Sequence, residues 1–136
     1  MIDIPPHFFE VTYQGAHYPG SPKVNGLQGG ANCQVFAYEL LRHHGLKVPD
    51  FRSSDLWEDT THTQQVTDLQ PLDILLWNKT PNSWGAHVGV YIGNNQAVHL
   101  SKANQVAVIW TLEYFLEQPA YQVFIGAKRI LNNDDT

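Results

Sequence analysis

The amino-acid sequence predicts an α+β domain in which helices come first and an antiparallel sheet follows. Three observations carry this. Apolar residues follow Asn32 at helical spacing. From Leu72 onward the pattern changes to period two or to short apolar runs, and Gly93-Asn94-Asn95 separates two of those runs as a hairpin turn.

Taken in order, residues 12–32 are rich in Gly, Pro, Asn and Gln and read as loop. Asn32 is a good N-cap, and Cys33, Phe36, Ala37, Leu40 and Leu41 then recur at i, i+3, i+4, i+7 and i+8. Gly45 supplies the C-terminal stop, with Pro49 shortly after. A second helix is expected over Ser53-Ser54-Asp55-Leu56-Trp57-Glu58, capped by Ser54 and acidic in its first turn. Strands are expected over Leu72–Trp77, Ala86–Ile92, Gln96–Lys102, Gln105–Trp110 and Tyr121–Arg129. Between the last two, Thr111–Glu117 reads as a short helix stopped by Pro119.

A chain of 136 residues fits one core, assigned to residues 1–131, with Asn132–Thr136 as a polar tail. The net charge is −5 and no Lys/Arg stripe is present, which disfavours nucleic acid and polybasic membrane attachment. No apolar run is long enough to span a bilayer. The first residues lack the basic and apolar regions of a secretory signal, so cytoplasmic residence is the default expectation, with a dedicated export route as the alternative. A single cysteine rules out an internal disulfide and any Cys-rich zinc site.

That cysteine is the first chemical signal. A thiol at a helix N-terminus meets the positive end of the dipole and unpaired N–H groups, which favour the thiolate and are able to stabilise an oxyanion. By position alone, Cys33 fits a buried core residue as well as a nucleophile. Two histidines add to the pattern. His87 opens an apolar strand in Gly85-Ala86-His87-Val88-Gly89-Val90-Tyr91, and His99 lies in Ala97-Val98-His99-Leu100-Ser101, twelve residues on. With Asn94 and Asn95 at the hairpin tip, His99 faces Val90 and His87 faces Lys102, three residues from direct pairing. Alternation is expected to put both on one face of an unbulged ribbon, and a bulge or a different loop would close the gap. A nucleophile, a base and an orienting group then converge. Zinc bound by Cys33, His87 and His99 is the rival, although no paired-ligand spacing accompanies it. His7, His17, His43, His44 and His62 are assigned structural roles, because no spacing links them to Cys33.

Together these segments resemble the NlpC/p60 superfamily of papain-like cysteine peptidases, which cleave the peptide stems of bacterial cell walls. Asn32-Cys33-Gln34-Val35-Phe36-Ala37-Tyr38 is similar to the family's nucleophile segment. Leu69-Gln70-Pro71-Leu72-Asp73-Ile74-Leu75 is similar to its strand entry. Ala86–Gly93, followed by the His99 segment, is the nearest match, and the likeness runs over roughly residues 13–129.

The resemblance implies a papain-like fold in which the Cys33 helix packs on an antiparallel sheet, and a peptide substrate. It implies a Cys33 nucleophile, a His87 base and a His99 orienting residue, with no cofactor and no metal. It also implies an upstream tyrosine near the oxyanion, for which Tyr18 is the first candidate and Tyr13 the second. Cell-wall peptidases of this type carry Asp before the cysteine and a small hydroxyl residue and Gly after it, where this chain has Asn32, Gln34 and Val35. Asn32 and Gln34 are therefore the candidate substrate contacts, and the carboxylate that would hold a free peptide amine is missing. Two further readings stay open: a papain-like acyltransferase or lipid hydrolase, which shares the Asn-Cys start but carries its histidine before the cysteine, and a non-catalytic binding member.

Overall fold

The computed structural model describes residues 2–131. The expected polar tail, residues 132–136, lies outside them. After a 3₁₀ turn at Pro6–Glu10, the chain forms α1 (Cys33–His43), α2 (Ser53–Glu58), β1 (Thr63–Val66), β2 (Ile74–Asn78), β3 (His87–Gly93), β4 (Gln96–Leu100), β5 (Ala107–Thr111) and α3 (Leu112–Leu116). A second 3₁₀ turn, Pro119–Tyr121, leads into β6 (Val123–Ile130). Among the described residues no helix is long and apolar enough to cross a membrane.

The first helix forms where its capping residues dictate. Asn32 Oδ1 accepts from the Gln34 and Val35 amides at 3.0 and 2.9 Å, satisfying two donors that the first turn leaves free. At the other end Gly45, with φ +84°, sits just beyond the cap. The Gly45 amide donates to Arg42 O and the Leu46 amide to Leu41 O, a left-handed termination that suits glycine. The second helix departs from expectation. Its cap position is Arg52, with no side-chain cap, so Ser54 does not serve. The hydroxyl of the neighbouring Ser53 instead accepts from the Ala86 amide at 3.1 Å, tying this helix to the loop before β3.

All six strands pair antiparallel in the order β1-β6-β2-β3-β4-β5. Strand β1 has no counterpart in the sequence pattern, because Thr63-Gln64-Gln65-Val66 at a sheet edge needs no apolar alternation. The last strand begins at Val123, and Tyr121 belongs to the preceding turn. One face of the sheet packs Ile74, Leu76, Val88, Val90, Val98 and Leu100 with Phe36, Leu40 and Leu41 of α1. The other face gathers Leu75, Trp77, Ala97 and Ala127 around Phe115 of α3, with Trp77 and Phe115 stacked at 3.9 Å.

The β3–β4 hairpin turns through Asn94 and Asn95, both at positive φ (57° and 60°), a tight-turn geometry that Asn tolerates. Its register differs from the one expected. Gly93 pairs with Gln96, yet Tyr91 pairs with Ala97 and Val90 with Val98, so the ladder slips by one residue at Ile92. The slip has a large consequence. Cross-strand partners share a face, so pairing His99 with Val90 would have pointed the two histidines to opposite faces of the sheet. The bulge brings His99 across from Gly89 and makes His87 its same-face diagonal neighbour, which lies within reach of a large side chain. The alternation that the twelve-residue interval was expected to provide without a bulge is in fact produced by one.

Candidate active site

Cys33 stands at the first position of α1, half-buried, with its thiol free. Burial pushes the thiol pKa up. The backbone N–H groups of Val88, Cys33 itself and Gln34, together with the Arg52 guanidinium, pull it down by less. The helix start therefore favours a thiolate as expected, but desolvation outweighs it. Val88 belongs to β3, so the thiol lies beside the strand residue that follows His87.

The two histidines meet directly. His87 and His99 are joined by an Nε2–Nδ1 hydrogen bond of 2.7 Å, their rings nearly perpendicular. Burial lowers the pKa of His87 to about 3 and that of His99 to about 2, and His87 adds to the shift on His99. Both are neutral near pH 7. His99 is fully buried, edge-on to Trp110 at 4.3 Å and tilted against Phe115 at 4.6 Å, and its Nε2 has no polar partner among the described residues. Against aromatic rings an N–H is attracted by the π-cloud and a lone pair is repelled. The proton on His99 is therefore assigned to Nε2, so that Nδ1 accepts from His87 Nε2–H. This tautomer leaves the Nδ1 lone pair of His87 free to act as a base.

The close approach depends on Gly89. A Cβ there would lie 3.1 Å from the Val98 carbonyl oxygen and 3.2 Å from both His99 Cβ and the Trp77 ring. Gly89→Ala is expected to destabilise the domain by about 1–3 kcal/mol in urea melts and to lengthen the histidine contact, visible as altered imidazole ¹⁵N shifts.

Other predicted site residues are distributed differently. Tyr18 lies under Arg52, whose guanidinium carbon is 4.6 Å from the ring centroid. Tyr13 forms an isolated bridge with Ala31, two residues before the cysteine, and burial first and a charge on Cys33 second oppose its ionisation. Gln34 is buried in the first turn of α1, and Asn32 is engaged in its cap. Asp73 is buried and held by Arg129 at 2.8 and 2.9 Å, and Glu39 pairs with Arg42 at 3.5 Å. Neither carboxylate is free to replace the missing acid beside the cysteine. Among the described residues no hydrogen bond joins Cys33 to His87, and no three ligating side chains converge as a metal site would require. A residue that the sequence pattern missed joins the cluster. Tyr121 stacks on His87 with centroids 4.5 Å apart and planes at 21°. Pro119 two residues earlier was the only cue that its segment is a turn.

Fold and site together define a papain-like α+β domain, with a cysteine opening a helix against a sheet that carries a hydrogen-bonded histidine pair. The profile of the NlpC/P60 family matches residues 13–128, and the chain belongs to that family. It is similar to the murein DD-endopeptidase MepS/murein LD-carboxypeptidase of Escherichia coli K12, with 34% identity over 80 residues. That stretch is 58% of this chain and 40% of the relative, so the chain spans well under two thirds of the curated protein it matches. Among solved structures, the fold is shared with an NlpC/P60 family protein from Bacillus cereus ATCC 10987 (TM-score 0.57, 24% identity, 75% of this chain and 32% of that one). It is also shared with the peptidoglycan hydrolase RipB of Mycobacterium tuberculosis (TM-score 0.59, 17% identity, 93% and 61%).

Proposed function

We propose that the chain is a cysteine amide hydrolase acting on a peptide of the peptidoglycan type. The observation that carries this reading is the hydrogen bond between half-buried His87 and buried His99, with the helix-borne Cys33 at the Val88 amide of the same strand, in a family whose similar members include a murein endopeptidase. Because burial keeps the thiol protonated and His87 neutral, the reading calls for general-base attack rather than a preformed ion pair. His87 Nδ1 takes the thiol proton as Sγ adds to the amide carbonyl, a contact that tightens when substrate fills the site. The C–N bond then breaks and the leaving amine takes that proton from His87. Water, deprotonated by His87, cleaves the thioester and releases Cys33 as a thiol. The Cys33 amide at the start of α1 is the oxyanion donor, since the Gln34 amide is taken by Asn32 Oδ1, and Tyr13 is better placed than Tyr18 to assist it.

The substrate follows from what surrounds the cysteine. With Asn32 engaged in capping and Asp73 and Glu39 paired, the cleaved peptide does not need a free amine next to the scissile bond. Digesting purified muropeptides with the native protein and locating the new termini by mass spectrometry tests this. Cleavage at an internal amide is expected. Untouched muropeptides together with acyl transfer from a phospholipid or thioester would replace the proposal with the acyltransferase reading.

A further inference from the structure

His87 has one neighbour whose position neither the histidine pair nor the helix explains. Tyr121 comes from the 3₁₀ turn between α3 and β6, where its amide donates to Gln118 O at 2.9 Å. Its ring lies nearly parallel to the His87 imidazole, while meeting His99 edge-on at 6.3 Å. Trp77 flanks the same imidazole at 6.2 Å. The tyrosine is half-buried, and its pKa is pushed up to about 12, first by burial and then by Cys33 and Tyr13. Its hydroxyl therefore faces the same small group of ionisable atoms as the thiol.

We propose that Tyr121 is a positioning residue for His87, an aromatic cover that keeps water off the imidazole and fixes its plane with Nε2 on His99. The titratable groups in contact with His87 are His99 from β4 and Tyr121 from the turn, and Cys33, held at the Val88 amide of the same strand, acts on the Tyr121 hydroxyl. Tyr13 lies beyond the thiol, and Arg52 acts on it from the start of α2. His99, Cys33, Tyr13 and Tyr121 are uncharged near pH 7. Among the described residues no acid acts on His87, so exclusion of water decides its protonation. The cover belongs to the base of the proposed hydrolase, but it is a property of the fold and is measurable without a substrate.

The test follows the His87 imidazole nitrogens by NMR against pH in the full chain, in the native protein and in Tyr121→Phe and Tyr121→Ala. The native protein and the Phe variant, which keeps the stacked ring, are expected to leave His87 neutral down to about pH 4. In the Ala variant water reaches the ring, and the midpoint is expected to rise by about two units or more toward the ordinary histidine value. The acid limb of muropeptide hydrolysis is expected to rise with it. Should Tyr121→Ala fail to fold, Tyr121→Leu is read the same way, with a smaller rise. An Ala or Leu variant with a native-like amide spectrum and an unmoved His87 midpoint would overturn the proposal, as would a Phe variant that shifts as far as Ala. A shifted midpoint in a protein that hydrolyses nothing would support the cover while removing the hydrolase reading.

Discussion

Replacing Cys33 by Ala is expected to abolish muropeptide cleavage, with a loss on the order of 10⁴-fold or more, because no other side chain at the site is able to form the acyl intermediate. The helix should survive. Its cap is the Asn32 side chain, which binds the Gln34 and Val35 amides and makes no use of the thiol. Far-UV circular dichroism and the urea midpoint should therefore match the native protein, separating a lost nucleophile from a lost fold. Cys33→Ser is expected to be nearly as inactive, since a neutral base activates a hydroxyl poorly in a site built around a larger sulfur. Residual hydrolysis above about a hundredth of the native rate in Cys33→Ala would remove Cys33 from the role.

The second large effect is on stability in acid. Folding lowers the pKa of His87 to about 3 and of His99 to about 2, well below the ordinary value of about 6.5. Between those values the unfolded chain holds protons that the folded chain rejects, so the stability of the fold is full above about pH 6.5 and falls as pH falls. Each histidine contributes a slope of up to about 1.4 kcal/mol per pH unit until its folded pKa is reached. Urea melts at a series of pH values between about 7.5 and 4 are expected to show the midpoint falling steadily. His99→Gln keeps a polar side chain without a titrating ring, and it should flatten the slope by about half over the same range. A native midpoint independent of pH across this window would mean that the two rings are charged, or solvated, in the folded protein.

How much of this was legible in the sequence depends on the range of the interaction involved. Helix α1 was readable in full because its cap, its apolar spacing and its glycine stop all act within a few residues of each other. The hairpin turn was readable for the same reason. Strand β1 was not, since its polar residues owe their conformation to β6, which lies more than sixty residues later. The meeting of His87 and His99 was anticipated from the family likeness, but its cause was hidden. A one-residue slip at Ile92 and the missing side chain of Gly89 are tertiary facts with no local signature beyond a glycine in a strand. Tyr121 was hidden more deeply still. The pattern made it the first residue of a strand, and only the turn before β6 lays its ring on His87.

The strand order carries a consequence for how the polypeptide is made. Strand β2, with the sequence Ile74-Leu75-Leu76-Trp77-Asn78, lies between β3, which follows it closely, and β6, the last of the six strands to be synthesised. Until residues 123–130 leave the ribosome, one whole side of this very apolar strand presents unsatisfied amides and carbonyls, and β1 has nothing to pair with. Asp73 waits for Arg129 over the same interval. The nascent domain therefore closes from its C-terminal end, and a chain halted before Val123 is left with a sticky seam where the finished protein has the middle of its sheet.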